Sequence, residues 1–171
     1  MAAQMKYGYA TPSGVPGGLF DISPYECNTR VSEAESGKIK FGMAVAAGTS
    51  AGTGVKVPAA ASDFIEGIVV SKAHEMDSKG TVAIDKGEAF SVLRTGKVWA
   101  RVDESVTIAV NDKPYVIATG DKAGLLTNAE SGNIALAGRF IGVSEDGIAP
   151  VLLYNAEATA AAAAAKASGE N

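Results

Sequence analysis

The sequence predicts an all-β protein: a compact β-barrel or β-sandwich of short antiparallel strands, with an extended N-terminal arm and an Ala-rich C-terminal tail. The chain has 171 residues, 47% of them hydrophobic and 20% charged, which suits one domain with a sizeable core. Its 20 glycines, together with many valines, alanines and threonines, favour strands joined by tight turns. Short apolar runs also recur at regular spacing with turn signals between them, a pattern typical of sandwiches and barrels.

The first element is an irregular arm, assigned to residues 1–27. Leu19, Phe20 and Ile22 are apolar enough to dock on a surface. We expect the arm to lie either on its own domain or on a partner. Prolines and glycines interrupt residues 1–24 and prevent a regular element there: Pro12, Gly14, Pro16, Gly17, Gly18 and Pro24.

The β-domain is assigned to residues 28–155, with roughly ten strands. The Gly-rich segment 48–54 is predicted to be a long hairpin loop, and Asn111-Asp112 a turn. The runs that predict strands are 39–41, 43–46, 55–57, 64–71, 81–84, 89–102, 106–110, 115–118, 124–127, 134–136, 137–143 and 149–154.

Residues 89–102 are predicted to form a β-hairpin with its turn at Thr95-Gly96. A three-residue loop with a bulge would change the register of a two-residue turn. With the two-residue turn, one face carries small, mostly apolar residues suited to an interior: Ala89, Ser91, Leu93, Val98, Ala100 and Val102. The other face carries an apolar centre ringed by charge: Phe90, Val92 and Trp99 with Arg94, Lys97 and Arg101. We expect Trp99 to pack either in its own domain or against a second protein.

The last element is the tail, residues 156–171. It is low in complexity and rich in alanine, so its helix propensity is high. An isolated helix of about a dozen residues is marginal in water. We therefore expect a frayed or disordered tail unless it lies on a partner.

Composition excludes several classes of function. The formal net charge of −4 argues against a general nucleic-acid binder. Cys27 is the only cysteine, so no intrachain disulfide and no cysteine-based zinc site can form, and we predict neither a metal nor a cofactor. No signal peptide or membrane-spanning run is present, which predicts a soluble protein made in a cytoplasm, with no membrane partner.

No motif selects a catalytic site. Gly48-Thr49-Ser50-Ala51-Gly52 matches the serine-hydrolase pattern, but Thr-Gly-Val-Lys-Val-Pro follows it where that pattern requires a helix. His74 with Glu75 and Asp77 lacks the second histidine that a metal site would need, and we expect a solvated loop. Asp103-Glu104 and Glu145-Asp146 lie where strands end, and the sequence does not show whether they converge across a cleft. The sequence therefore predicts a protein that is not an enzyme.

Taken in order, the elements from Gly14 to Tyr154 resemble the capsid cement, or decoration, proteins of tailed bacteriophages. One departure is Asn111-Asp112 where Gly-Asp is expected, and Asn tolerates the left-handed turn conformation. The tail has no counterpart in the resemblance. The matching pieces are the arm Gly14-Val-Pro-Gly17 leading to Asp21 and Pro24, Ile39-Lys-Phe-Gly-Met-Ala-Val45, Phe64-x-x-Gly67-Ile68 with Val70, Val92-Leu93-x-x-Gly96-x-Val98, Tyr115, Gly124-x-Leu126-Thr127, Gly138-x-Phe140 and the closing Val-Leu-Leu strand.

The resemblance implies a virion structural protein made in the host bacterial cytoplasm. It would bind the outer surface of a phage capsid as a homotrimer, cement adjacent major capsid subunits, and stabilise the DNA-filled head. The alternatives are a carbohydrate- or surface-binding β module of a virion and, less favoured, a serine hydrolase. Candidates for contact with the capsid or a neighbouring subunit are Pro16, Gly17, Leu19, Phe20, Phe90, Arg94, Trp99 and Arg101.

Overall fold

The computed structural model describes residues 14–71 and 84–154. Four predictions fall wholly or mostly outside these ranges: the first half of the arm, the loop around His74, the strand at 81–84 and the Ala-rich tail. No helix occurs among the described residues, so none there could span a membrane. The described ranges form ten strands: β1 (Glu26–Ser32), β2 (Ala44–Ala47), β3 (Gly54–Lys56), β4 (Ile65–Val69), β5 (Ala89–Arg101), β6 (Tyr115–Val116), β7 (Leu126–Thr127), β8 (Ile134–Ala135), β9 (Gly138–Phe140) and β10 (Ile148–Leu153).

Five strands close a barrel, which confirms the all-β prediction and decides between its two forms. The order is β1-β3-β2-β4-β5, and β5 pairs back to β1. The pairing of β1 with β3 is parallel, and the other four pairings are antiparallel. Strands β10 and β9 extend the sheet beyond β5, and β7-β6-β8 form a separate small sheet.

The predicted hairpin at Thr95-Gly96 is wrong, because residues 89–101 form one continuous strand. Its partners come from elsewhere in the chain: β1 pairs with the first half, as far as Thr95, and β10 pairs with the second half, from Gly96 onward. Gly96 has a φ of 123°, and a Cβ there would lie 2.7 Å from the Cβ of Tyr25. The glycine is therefore needed for the close approach of Tyr25 rather than for a chain reversal.

The predicted grouping of side chains along this strand nevertheless holds in its second half. The pairing with β1 skips Arg94, since Glu26 pairs with Thr95 and Cys27 with Leu93. One extra residue in a strand shifts the alternation of faces by one position, as a hairpin turn would have done. Two predicted interior residues, Ala89 and Ser91, are exposed instead. The other four residues of the predicted small face belong to one core cluster: Leu93, Val98, Ala100 and Val102.

The core consists of two clusters on opposite faces of the barrel strands. The first extends from β2, β4 and β5 to the small sheet and to β9 and β10, with Phe140 and Leu126 fully buried. The second joins Phe90 and Val92 to residues of β2, β3 and β4. Asn111 has a φ of 72°, as the sequence predicted for the turn before β6.

Candidate contact surface

The described part of the arm forms an extra strand on β5. Leu19 bridges to Val98, and the amide of Phe20 donates to the carbonyl of Lys97 at 3.0 Å. The Gly17 amide donates to the Trp99 carbonyl at 2.7 Å, and the Trp99 amide donates to the Gly18 carbonyl at 2.9 Å. The sequence left open whether the arm lies on its own domain or on a partner. Residues 14–24 lie on their own domain.

Trp99 packs against this arm. Its ring centroid lies 5.5 Å from that of Phe20, with 40° between the ring planes, and the side chain is 9% exposed. A Cβ on Gly14 would overlap the indole, so the arm backbone also passes directly over the ring. The indole is thus covered by its own chain, and its role is to hold the arm.

An ion pair fixes the end of the arm strand. The Lys97 ammonium lies 2.6 Å from the Asp21 carboxylate. The amide of Ser23 donates to the same carboxylate at 3.0 Å, and the Ser23 hydroxyl also bonds it. These bonds, led by the one from Lys97, lower the pKa of Asp21 to about 2. The carboxylate is therefore ionised at every physiological pH.

The arm, β5, β10 and β9 present one side to the first core cluster and the opposite side outward. Leu19, Val98, Val151 and Phe140 belong to or pack on that cluster, so alternate residues point away from it. Register confirms the set, because Leu152 pairs with both Lys97 and Arg139, and Trp99 pairs with Pro150. We call this outward side the arm face; it consists of Phe20, Lys97, Trp99, Arg101, Arg139, Pro150, Leu152 and Tyr154.

Large apolar side chains are exposed around the arm face. Ile22 is 100% exposed and Val15 is 63% exposed, both on the arm, and Tyr25, directly before β1, is 54% exposed. Tyr154, directly after β10, is 53% exposed. These four account for more than half of the seven large apolar residues that are exposed in the described ranges. Grouped exposed apolar side chains are typical of a protein contact site.

Not every predicted contact residue lies on this surface. Phe90 is 3% exposed within the second core cluster, so we do not retain it as a contact candidate. Arg94 is 9% exposed, and its guanidinium lies 3.9 Å from Glu66, which Arg30 also binds at 2.9 Å. Burial among β1, β4 and β5 removes both predicted residues from the outward surface.

The other candidates lie on or beside the arm. Pro16 is half-buried, Gly17 is buried beneath the backbone of Ser71, and Leu19 points to the core. Arg101 lies on the arm face, where its Nε donates to the Phe41 carbonyl at 3.0 Å. The sequence missed Arg139, Leu152 and Tyr154, because only the pairing of β10 with β5 places them beside Trp99.

The serine motif does not form a nucleophile elbow. Ser50 lies in the loop between β2 and β3, and strand β3 follows where that motif requires a helix. The amides of Thr49 and Ser50 both donate to the Glu33 carboxylate at 2.7 Å. The Ser50 and Thr49 hydroxyls bond it as well, and together these bonds lower the pKa of Glu33 to about 2. Glu33 therefore holds this loop in place.

The structure brings the two acidic pairs together in part. Glu104, Glu145 and Asp146 line one open hollow of about 280 Å³ with Val102 and Val106. The Asp103 carboxylate turns instead to Lys122, at 2.7 Å, and this bond leads in lowering its pKa. Over the described ranges, no group of three or more histidine, cysteine or acidic side chains is arranged to hold a metal ion.

Comparisons with known proteins agree with this architecture. The family model described as "Structural cement protein (E217 gp24/Pam3 gp6)" matches residues 3–167. A similar fold occurs in a chain of the structure titled "The capsid of Myoviridae Phage XM1", with a TM-score of 0.67 and 20% identity. That match covers 90% of this chain and 98% of the other. No curated protein matches the sequence.

Proposed function

Because this chain belongs to the phage structural cement protein family, we propose that it binds the outer surface of a phage capsid and cements adjacent major capsid subunits. In this role it stabilises the DNA-filled head without catalysing a reaction. It is made in the host bacterial cytoplasm and acts in the virion as a homotrimer. The observation that carries the proposal is the match of the family model over nearly the whole chain.

The geometry of the arm supports a contact role. A cement protein needs a rigid scaffold and an exposed surface that a neighbour can bury. The barrel supplies the scaffold, and the arm is hydrogen-bonded to its longest strand. Ile22 and Val15 project from that arm into solvent, an unfavourable position for such side chains unless a partner covers them.

The experiment uses capsids purified from particles that lack this protein and measures co-sedimentation with the full chain. We expect the full chain to sediment with capsids, and a chain without residues 1–24 to remain in the supernatant. That deletion removes the arm strand and uncovers Trp99, so a second variant is needed that leaves the fold intact. Ile22→Ser serves this purpose, since the side chain is fully exposed.

Val143→Ser is the matched control, because Val143 is also largely exposed, at 62%, but belongs to the segment between β9 and β10 rather than to the arm. We expect Ile22→Ser to weaken binding by about five- to tenfold, the cost of one lost apolar contact, and Val143→Ser to bind like the unmodified chain. Failure of the unmodified chain to sediment with capsids would refute the proposed function. Normal binding by both arm variants would instead refute the contact role of the arm.

A further inference from the structure

The arm face has a charge opposite in sign to that of the whole molecule. Its four segments, residues 17–21, 96–101, 138–140 and 148–154, contain three cationic side chains and one carboxylate. The cations are Lys97, Arg101 and Arg139, and the carboxylate is Asp21. The chain as a whole has a formal net charge of −4. This excess of positive charge is therefore a local property of one surface.

Within the described ranges, one of these three cations is neutralised by a carboxylate. Lys97 is paired with Asp21 at 2.6 Å. Arg139 donates to the side-chain oxygen of Asn111 at 2.6 Å, and Arg101 donates to the backbone carbonyl of Phe41. Both of these acceptors are uncharged. The two guanidinium groups thus keep their positive charge available to a partner.

A lysine, paired with Asp21, and an arginine flank the apolar centre. Leu152 pairs in register with Lys97 on one side and with Arg139 on the other, and it is half-buried. Tyr154, two residues further along, is more than half exposed. An apolar centre with charged groups at its edge is the usual anatomy of a protein interface, and arginine binds carboxylates through paired hydrogen bonds.

We propose that the arm face binds an acidic protein surface, in which Asp or Glu carboxylates border an apolar patch. The inference rests on the proposed function, which makes the capsid protein the owner of that surface. A protein partner fits better than a nucleic acid, since the three cations of the arm face, of which only Lys97 and Arg139 flank Leu152, do not form the extended basic stripe that phosphates require.

The test compares charge reversals on capsids that lack this protein. Arg139→Glu changes an exposed residue at the edge of β9, and Lys86→Glu makes the same charge change at another exposed site, where the lysine pairs with Glu35. Thermal unfolding of both variants confirms that the fold is retained. We expect Arg139→Glu to weaken binding about five- to tenfold in low salt and to flatten its salt dependence, because opposed charges become like charges. Lys86→Glu should bind like the unmodified chain.

A second measurement identifies the partner's carboxylate directly. Arg139→Lys places a primary amine at this position, and carbodiimide then joins it to a carboxylate in contact with it. We expect a cross-link between residue 139 and an Asp or Glu of the capsid protein, found by mass spectrometry only when capsids are present. If the unmodified chain binds capsids but Arg139→Glu binds equally well at all salt concentrations, the charge inference is overturned and the proposed function stands. Retention of duplex DNA by the unmodified chain, lost in Arg139→Glu, would also overturn it.

Discussion

The contact between Phe20 and Trp99 predicts a measurable coupling between the arm and the barrel. Trp99 is 9% exposed, so Trp99→Ala should lower the free energy of unfolding by about 3–5 kcal/mol, the usual cost of removing a buried aromatic. Phe20 is half-buried, and Phe20→Ala should cost about half as much. With centroids 5.5 Å apart, the rings should add about 0.5–1.5 kcal/mol of coupling beyond their separate burial.

Urea unfolding of the two single variants and the double variant measures this coupling as a double-mutant cycle. Far-UV circular dichroism is the required signal, because Trp99 is the only tryptophan and its removal abolishes the tryptophan fluorescence. Phe64→Ala provides a control cycle, since Phe64 makes no ring contact with Trp99 within the described ranges. A coupling below about 0.3 kcal/mol for Phe20 and Trp99, no larger than in the control, would refute the packing of the arm on the indole.

Three further predictions concern the fixed loops and the barrel. In the folded protein the pKa of the Asp21 carboxyl is about 2, below its ordinary value of 3.8. Its contribution to stability is therefore present above pH 4 and disappears as the pH falls through 2. NMR titration of the carboxyl carbon should show this midpoint, and Lys97→Met should raise the pKa. Folding also lowers the pKa of Glu33, so its contribution to stability is lost in acid as well. Glu33→Gln should speed amide hydrogen exchange at Thr49 without unfolding the barrel, and unchanged exchange would disprove the role of Glu33 in the loop. In urea unfolding, Gly67→Ala should lower the free energy of unfolding by at least about 2 kcal/mol more than Gly52→Ala does. Both glycines have a positive φ, but only at Gly67 would a Cβ overlap the neighbouring strand.

The predicted hairpin shows where sequence patterns lose information. Alternation of apolar residues around Gly96 indicated two faces, and the structure retains those faces in the second half of β5 through the extra residue at Arg94. A hairpin and a bulged strand shift the alternation equally, so the pattern does not distinguish them. Whether residues 89–101 form a hairpin or one strand depends on which strands are available to pair with them. The partners here, β1 and β10, come from distant parts of the chain.

Contact residues were predicted unevenly for the same reason. Phe20 and Trp99 stood out as aromatics flanked by chain breakers and cations, and they meet in the structure. Phe90 has the same local pattern but is enclosed by other strands of the barrel. Arg139 has no local signal at all, because it reaches the arm face only through the register of β9 on β10.

The sequence by itself determined the all-β class, the inward-facing residues of β5 from Leu93 to Ala100 and the membership of a cement family, since these depend on composition, alternation and the order of elements along the chain. Only the tertiary structure decided that the barrel closes through β1 and β5, that the arm lies on its own domain, and that Trp99 holds it there. The physical reason is that each of these depends on pairing between segments far apart in sequence. Local propensity determines which segments become strands, whereas burial and hydrogen bonding across the whole chain select their neighbours.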